Sequence, residues 1–304
     1  MKALAGFVMK GWPQAAGVAL LSALLSPLFA PLTLLSGAVA ALVTLRKGEV
    51  DGLRVVAVAT AGVAVAAQLF GQLPVGLLFA LLLWVPMLVL GFVLRSTRSL
   101  PLTVEVGVAF GALVVVFYAL RFDDPARDWA PILESMLGPL LDAQQLDGDA
   151  RQALIAAMGR WMTGALGAAF FLQTIGALLL GRWWQALLYN PGGFRAEFHA
   201  LRLHRWLAIL AVPLVVVLFI EGSPDLLRYL ALPVVAAFFL QGLALTHAQL
   251  AAFSAHAGWL VGVYALLILA PPYAVTALAT AGYADAWMDF RRRLDKKPGD
   301  KAGT

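Results

Sequence analysis

Cysteine is absent from this chain of 304 residues, and only 13% of the residues are charged. The absence of cysteine excludes disulfides, thiolate catalysis and thiolate metal sites. The sequence also lacks a phosphate-binding glycine loop followed by Lys and Ser or Thr, a GxSxG elbow and a HExxH pair. We therefore expect a protein that is not an enzyme, does not hydrolyse ATP and holds neither a cofactor nor a metal ion.

Hydrophobic residues make up 62% of the chain, and the mean hydropathy is +0.85. A helix needs about 20 apolar residues to cross the roughly 30 Å of hydrocarbon in a bilayer. The stretch 74–94 carries no charge, and 226–245 carries only that of Arg228. The apolar stretches are 12–30, 31–45, 53–70, 74–94, 102–120, 160–181, 206–221, 225–247 and 258–288. They predict an all-α, polytopic transmembrane helical bundle of about eight to ten membrane segments, including short helices broken by proline.

Residues 1–290 are expected to form a single transmembrane domain, followed by a basic cytoplasmic tail at 291–304. The segment 121–159 differs from the rest because its acidic residues outnumber its arginines. Apolar residues recur in it at helical spacing from Ile132 to Leu141, and again after a plausible helix cap at Asp149. This pattern predicts two amphipathic helices that lie on the membrane surface or over the mouth of the bundle.

Orientation follows from the distribution of Lys and Arg, which favour the cytoplasmic side of a membrane. A cytoplasmic amino terminus puts the basic loops inside, including 182–205, and the acidic segment 121–159 outside. We expect a multi-pass protein of the bacterial inner membrane with both termini in the cytoplasm. A single crossing at 258–288 would place the basic tail outside, so the chain either returns at Pro271 and Pro272 or breaks the rule there.

The densest polar run extends from Gly181 to Arg205. Its NPGG turn predicts a helix from about Phe194, with apolar residues on one face and basic residues on another. The run is either a coupling element that grips an acidic partner or phosphate group, or an interfacial anchor in lipid. The residues that are candidates for contact with a partner or with lipid are Arg182, Trp183, Trp184, Asn190, Pro191, Gly192, Gly193, Phe194, Arg195, His199 and Arg202.

The string RWWQALLYNPGGFRAEFHALRL, the following paired spans, the PP break and the closing DAWMDFRRRL resemble the YybS-like family of bacterial multi-spanning membrane proteins of unknown function. That family is distantly similar to the substrate-binding membrane subunits of energy-coupling-factor transporters. The resemblance implies a small-molecule-binding protein with a separate energising partner. Such subunits dock a partner through small residues in the first helix. Ala15, Ala19 and Ala23 have a four-residue spacing that fits docking and internal packing equally well.

Polar residues at membrane depth are costly and often functional. Gln68, Gln173, Gln241 and Thr246 are candidates for a solute pocket, although single glutamines also bond between helices for about 0.6 kcal/mol. We expect a transport-related, small-solute-binding membrane subunit that needs a membrane or ATPase partner. The alternative is a scaffold or assembly factor that recruits partners through 181–205. Nucleic acid is not expected as a partner, because the basic residues flank spans where lipid accounts for them.

Overall fold

The computed structural model describes residues 1–146, 148–253, 256 and 258–291. In these residues the chain is helical, without a strand. Most of the predicted tail, 292–304, lies outside the described residues. The helices are α1 (Lys2–Val8), α2 (Trp12–Leu25), α3 (Leu32–Lys47), α4 (Glu49–Leu69), α5 (Leu73–Thr97), α6 (Leu100–Arg121), α7 (Pro125–Asp128), α8 (Ala130–Ala143), α9 (Gly148–Tyr189), α10 (Gly193–His199), α11 (Arg205–Val217), α12 (Asp225–Ala252), α13 (Gly258–Leu269) and α14 (Pro271–Met288).

Five described helices, α4, α5, α6, α9 and α12, are long and apolar enough to cross a membrane. The apolar helices α2, α11 and α13 are shorter. The all-α prediction is therefore confirmed, and the helices are compatible with a multi-pass membrane protein. The predicted number of about eight to ten membrane segments is not confirmed, because only these five of the described helices meet the length and apolarity expected of a membrane span.

Proline sets two of the helix boundaries that were predicted. The connection from Ser26 to Pro31 separates α2 from α3, which pack against each other as the expected helical hairpin. Pro271 begins α14 directly after the end of α13, because proline fits the first turn of a helix, where its missing N–H is not needed. The predicted breaks at both sites are confirmed.

The predicted boundary between a surface helix after Asp149 and a span starting near residue 160 is wrong. Residues 148 to 189 form the single 42-residue helix α9. The segment contains no proline, so nothing removes a backbone donor where the amphipathic part from Arg151 to Arg160 meets the apolar part. A change in side-chain polarity alone does not end a helix.

The described residues fall into two compact units. The first comprises those in 1–107, 172–202 and 244–256, and the second those in 108–171, 203–243 and 257–291. In the first unit α3 is almost entirely enclosed by protein from Ser36 to Leu45. The hydroxyl of Ser36 donates to the carbonyl of Ala19 at 2.7 Å and accepts the indole N–H of Trp84 at 3.0 Å. These bonds tie α3 to α2 and α5.

Glycines allow helices of the second unit to touch backbone to backbone. A Cβ atom built on Gly242 would lie 1.8 Å from the carbonyl oxygen of Leu278, and one on Gly282 would lie 2.0 Å from that of Phe238. Since real Cβ atoms essentially never approach an oxygen so closely, α12 and α14 can pack this way only with glycine at both positions. Small residues allow the same close approach in membrane helix pairs generally.

The start of the second unit contains a small apolar cluster built from Leu133, Leu141 and Ile155. Leu133 and Leu141 lie on α8, and Ile155 lies near the start of α9. The predicted amphipathic helix after Ala130 is therefore confirmed as α8; Leu133 and Leu141 cluster with Ile155 of α9 and Leu137 packs against them, whereas Ile132, Met136 and Leu140 of the predicted apolar set are exposed. A cleft lies beside this cluster, among α7, α8 and the start of α9.

Candidate functional site

A cleft of about 990 Å³ lies among α7, α8 and the first turns of α9, entirely within the second unit. Its lining combines charged side chains with small apolar ones. The lining residues are Asp124, Ala126, Arg127, Ala130, Pro131, Glu134, Gly148, Arg151, Gln152, Ala153, Ile155, Ala156 and Arg160. Such a volume is at the upper end of the range of about 300–1,000 Å³ that is usual for small-molecule sites.

One wall of the cleft depends on a close contact between α7 and α9. A Cβ atom on Gly159 would lie 2.4 Å from the backbone oxygen of Ala126, so only glycine permits this approach. Arg127 follows Ala126 in the chain, and Arg160 follows Gly159. Both arginines are among the residues that line the cleft.

The other wall is held by Arg151 of α9, which bridges two carboxylates of α8. Its guanidinium donates to Glu134 and to Asp142. Gly138 lies beneath this bridge, since a Cβ atom there would be 3.2 Å from Nη2 of Arg151. Charge-assisted bonds of this kind are stronger than neutral ones, so they fix α8 against α9.

Trp129 supports the connection between α7 and α8. Its indole ring stacks on the ring of Tyr118 with 5.3 Å between centroids, and its N–H donates to the hydroxyl of Thr163 at 3.0 Å. Thr163 is completely buried. The tryptophan therefore joins α6 and α9 beneath the cleft-lining residues and fixes where α7 ends.

Within the described residues, some charged groups in the lining are bound by neighbouring groups, and others are not. Arg151 is engaged by Glu134, and Asp124 caps α7 by accepting the backbone N–H of Arg127 at 3.1 Å. The guanidinium groups of Arg127 and Arg160 make no ion pair with a described residue. The cleft thus presents two cationic groups that are available to a ligand.

Sequence reasoning did not nominate this cleft. It identified the acidic, amphipathic character of 121–159 but not the pairing of Arg127 with Arg160. No local pattern around Gly159 signalled the contact, because it exists only once α7 packs against α9.

The predicted turn and helix in the basic run are confirmed. Gly192 has a φ of 89°, a left-handed conformation that glycine adopts without strain, and α10 begins at the next residue. Arg182 pairs with Glu197 at 2.7 Å, which ties α9 to α10. Phe194 and Phe198 stack with centroids 5.9 Å apart on one face, as the spacing predicted.

The other candidates in this run differ in exposure. Asn190, Pro191, Gly192 and Arg195 are exposed, and Trp183 is 37% exposed. Gly193, His199 and Arg202 are half-buried, and the imidazole of His199 lies 6.3 Å from that of His247 between ring centroids. Trp184 is completely buried, so its ring packs against protein and is not available to lipid or to a partner.

The small residues proposed for docking are enclosed within the first unit. Ala15 and Ala19 have no exposed surface, and Ala23 is 2% exposed. Their helix, α2, packs against α3 and α4. Of the two interpretations of this spacing, internal packing fits the buried state of these three side chains. An apolar groove of about 440 Å³ lies elsewhere on α1 and α2, lined by Phe7, Pro13, Gln14, Gly17, Val18 and Leu21.

The four residues proposed for a solute pocket are not among those that line the cleft. Gln68 is exposed, Thr246 is half-buried, and Gln173 donates to the hydroxyl of Thr33 at 2.8 Å. Gln241 is completely buried, accepts the backbone N–H of Leu203 at 2.9 Å and donates to Asp285 at 2.9 Å. Both ends of its amide are thus bound by protein.

Asp285 was missed by sequence reasoning and is the centre of a buried polar network in the second unit. Its carboxylate is completely buried and accepts from Gln241, from Nη1 of Arg291 at 2.9 Å and from the backbone N–H of Phe290 at 3.1 Å. A carboxylate in an apolar helix was itself a signal, because such residues are kept where partners satisfy them.

Among the described residues no group of three or more His, Asp or Glu side chains is arranged to hold a metal ion. Comparisons of the chain with protein families, with curated proteins and with solved structures found no match.

Proposed function

We propose that this protein is a transport-related integral membrane protein that binds a small solute in the cleft among α7, α8 and α9. The observation that carries the proposal is the cleft itself. It has a volume of about 990 Å³ and a charged lining, and Arg151 links two of its helices, α8 and α9. Small-molecule sites are concave and carry a few convergent polar groups on otherwise apolar walls, as here.

The proposed setting is the inner membrane of a bacterium, with both termini in the cytoplasm and the cleft on the outer side. The excess of Lys and Arg in loops on the opposite side supports this orientation. If the shorter helices α2, α3, α11, α13 and α14 also cross the membrane, the number of membrane segments reaches the proposed eight to ten. The resemblance to YybS-like proteins is consistent with this arrangement.

The energy for transport would come from a separate partner. The sequence contains no glycine loop of the kind that cradles nucleotide phosphates, so nothing in it supports ATP hydrolysis by this chain. We propose an ATPase or a companion membrane subunit as the source.

The test is native mass spectrometry of the protein purified gently from its own membranes, beside a variant with a blocked cleft. Ala153→Trp fills the cleft, whereas Ala143→Trp places the same ring on an exposed position of α8 outside it. We expect a small molecule to co-purify with the parent chain and with Ala143→Trp, but not with Ala153→Trp. Equal recovery from all three, or recovery of neither a small molecule nor a companion subunit, would overturn the proposal.

A second proposal is a scaffold that recruits partners through 181–205. It is supported by α10, which is anchored by the ion pair between Arg182 and Glu197 while Arg195 stays exposed. Arg195→Glu should then abolish recovery of a partner, whereas Arg98→Glu, at an exposed position after α5, should not. Unchanged recovery with Arg195→Glu would count against the scaffold.

A further inference from the structure

We propose that the ligand of the cleft carries a carboxylate or phosphate group, and that Arg127 and Arg160 hold this group between them. The inference rests on the proposed function, since it assigns a chemical class to the solute that the cleft binds. It is carried by the placement of the two arginines, by the absence of an ion pair between them and any described residue, and by the apolar residues around them.

The first step is geometric. Arg127 and Arg160 each follow a residue at the contact between α7 and α9, where a Cβ atom on Gly159 would be 2.4 Å from the oxygen of Ala126. Both arginines line the cleft beside this contact. A guanidinium group presents a planar fork of donors, which matches the paired oxygens of carboxylates and phosphates.

The second step concerns charge. Glu134 is bound to Arg151, so it does not neutralise the other two arginines. Asp124 accepts the backbone N–H of Arg127 as a helix cap, and it is the remaining carboxylate among the described residues of the lining. Among the described lining residues, Arg127 and Arg160 thus face a single carboxylate that is not bound to Arg151.

The third step concerns the body of the ligand. Ala126, Ala130, Ala153 and Ala156 line the cleft with small apolar groups, and Gln152 adds a side-chain amide. These side chains leave room for an organic portion beyond the anionic group. The combination fits an organic carboxylate or a phosphorylated compound better than a cation, because a cation would be repelled by the positive charges of Arg127 and Arg160.

The anionic group can belong to a free solute or to a lipid head group, and one experiment separates the two sources. The full chain is placed in nanodiscs of phosphatidylcholine and titrated calorimetrically with succinate, inorganic phosphate and dihexanoyl phosphatidylglycerol; choline and glucose are the cationic and neutral probes. Arg127→Gln and Arg160→Gln are compared with Arg121→Gln, an exposed arginine of the same region that does not line the cleft.

We expect at least one anionic probe to bind to the parent chain and to Arg121→Gln with equal affinity, and at least tenfold more weakly to each cleft variant. Arg160→Lys should fall between, because lysine keeps the charge but loses the fork. Binding of succinate or phosphate alone would identify a free solute, and binding of the phosphatidylglycerol alone would identify a lipid head group. Since both arginines are exposed, the variants should keep the melting temperature of the parent, which checks their folding.

Two results would overturn the inference. One is failure of every anionic probe to bind to the parent chain, and the other is anion binding that Arg127→Gln and Arg160→Gln leave unchanged. If a neutral probe binds and Ala153→Trp abolishes that binding, the cleft is a solute site for a different class of ligand, and only the anionic assignment fails. If the cleft-blocking variant changes no binding at all, the proposed function fails as well.

Discussion

Gln241 of α12 donates its side-chain amide to the carboxylate of Asp285 of α14 across 2.9 Å, and neither residue has any exposed surface. The same carboxylate binds Arg291, whose side chain is 16% exposed. The amide oxygen of Gln241 accepts from the backbone of Leu203. One glutamine thus joins the chain before α11 to the last helix of the second unit.

Asp285→Asn should strongly destabilise the second unit. The substitution removes the negative charge opposite Arg291 and sets the new amide against that of Gln241. Breaking a buried ion pair by removing one partner costs about 3–5 kcal/mol. A thermal-unfolding series in detergent should show the loss, with Asp123→Asn, an exposed carboxylate of the same unit, near the parent value. Equal melting temperatures for the two variants would show that the network does not stabilise the protein.

Gly242→Ala and Gly282→Ala should each separate α12 from α14. The added methyl group would lie 1.8 Å or 2.0 Å from a backbone oxygen of the facing helix, and a backbone cannot move aside as a side chain can. Overpacking of this kind costs about 1–3 kcal/mol. The matched control is Gly262→Ala in α13, where nothing lies within 4 Å of the added methyl group.

The control should be neutral or slightly stabilising, because alanine favours a helix by up to about 1 kcal/mol over glycine. The unfolding midpoint in a denaturant titration measures all three variants. A Gly242→Ala chain as stable as Gly262→Ala would exclude the close helix contact.

These contacts show how far the sequence determines the fold. Apolar length and proline positions predicted α2, α3, α5 and the break before Pro271, because both are local properties of the chain. The Gly242–Gly282 contact depends on two helices that meet in space, and no local pattern distinguishes these glycines from Gly262. Similarly, Arg127 and Arg160 are separated in sequence and line one cleft only because α7 packs against α9 at Gly159.

Ser36→Ala should destabilise the first unit more than the loss of a single hydroxyl group suggests. The hydroxyl of Ser36 serves both the indole N–H of Trp84 and the carbonyl of Ala19, and its loss leaves the buried Trp84 donor without an acceptor. An unsatisfied buried polar group costs about 1–3 kcal/mol. Ser135→Ala, at an exposed serine that bonds only to its own helix, should have little effect on the melting temperature. A Ser36→Ala chain that melts with the Ser135→Ala control would contradict the shared role of this hydroxyl.

Arg151→Gln should loosen α8 without unfolding the protein. It removes the bridge to Glu134 and Asp142, while the apolar cluster of Leu133, Leu141 and Ile155 remains. Hydrogen exchange followed by mass spectrometry should show faster exchange in 130–143 and unchanged exchange in α3. Arg121→Gln, with no ion pair to a described residue, serves as the control. Equal exchange in 130–143 for both variants would mean that the bridge does not hold the wall of the cleft.

The proposed position of the cleft on the outer side of the membrane can be tested by chemical labelling, because the chain has no cysteine of its own. Gln152→Cys places a thiol in the cleft lining, and Asn190→Cys places one at the exposed NPGG turn. Bacterial spheroplasts that produce either variant are treated with a membrane-impermeant maleimide before and after permeabilisation. We predict that Gln152→Cys is labelled in sealed spheroplasts and that a ligand of the cleft slows this labelling. Asn190→Cys should be labelled only after permeabilisation. Labelling of Gln152→Cys only after permeabilisation would contradict an outward-facing solute site.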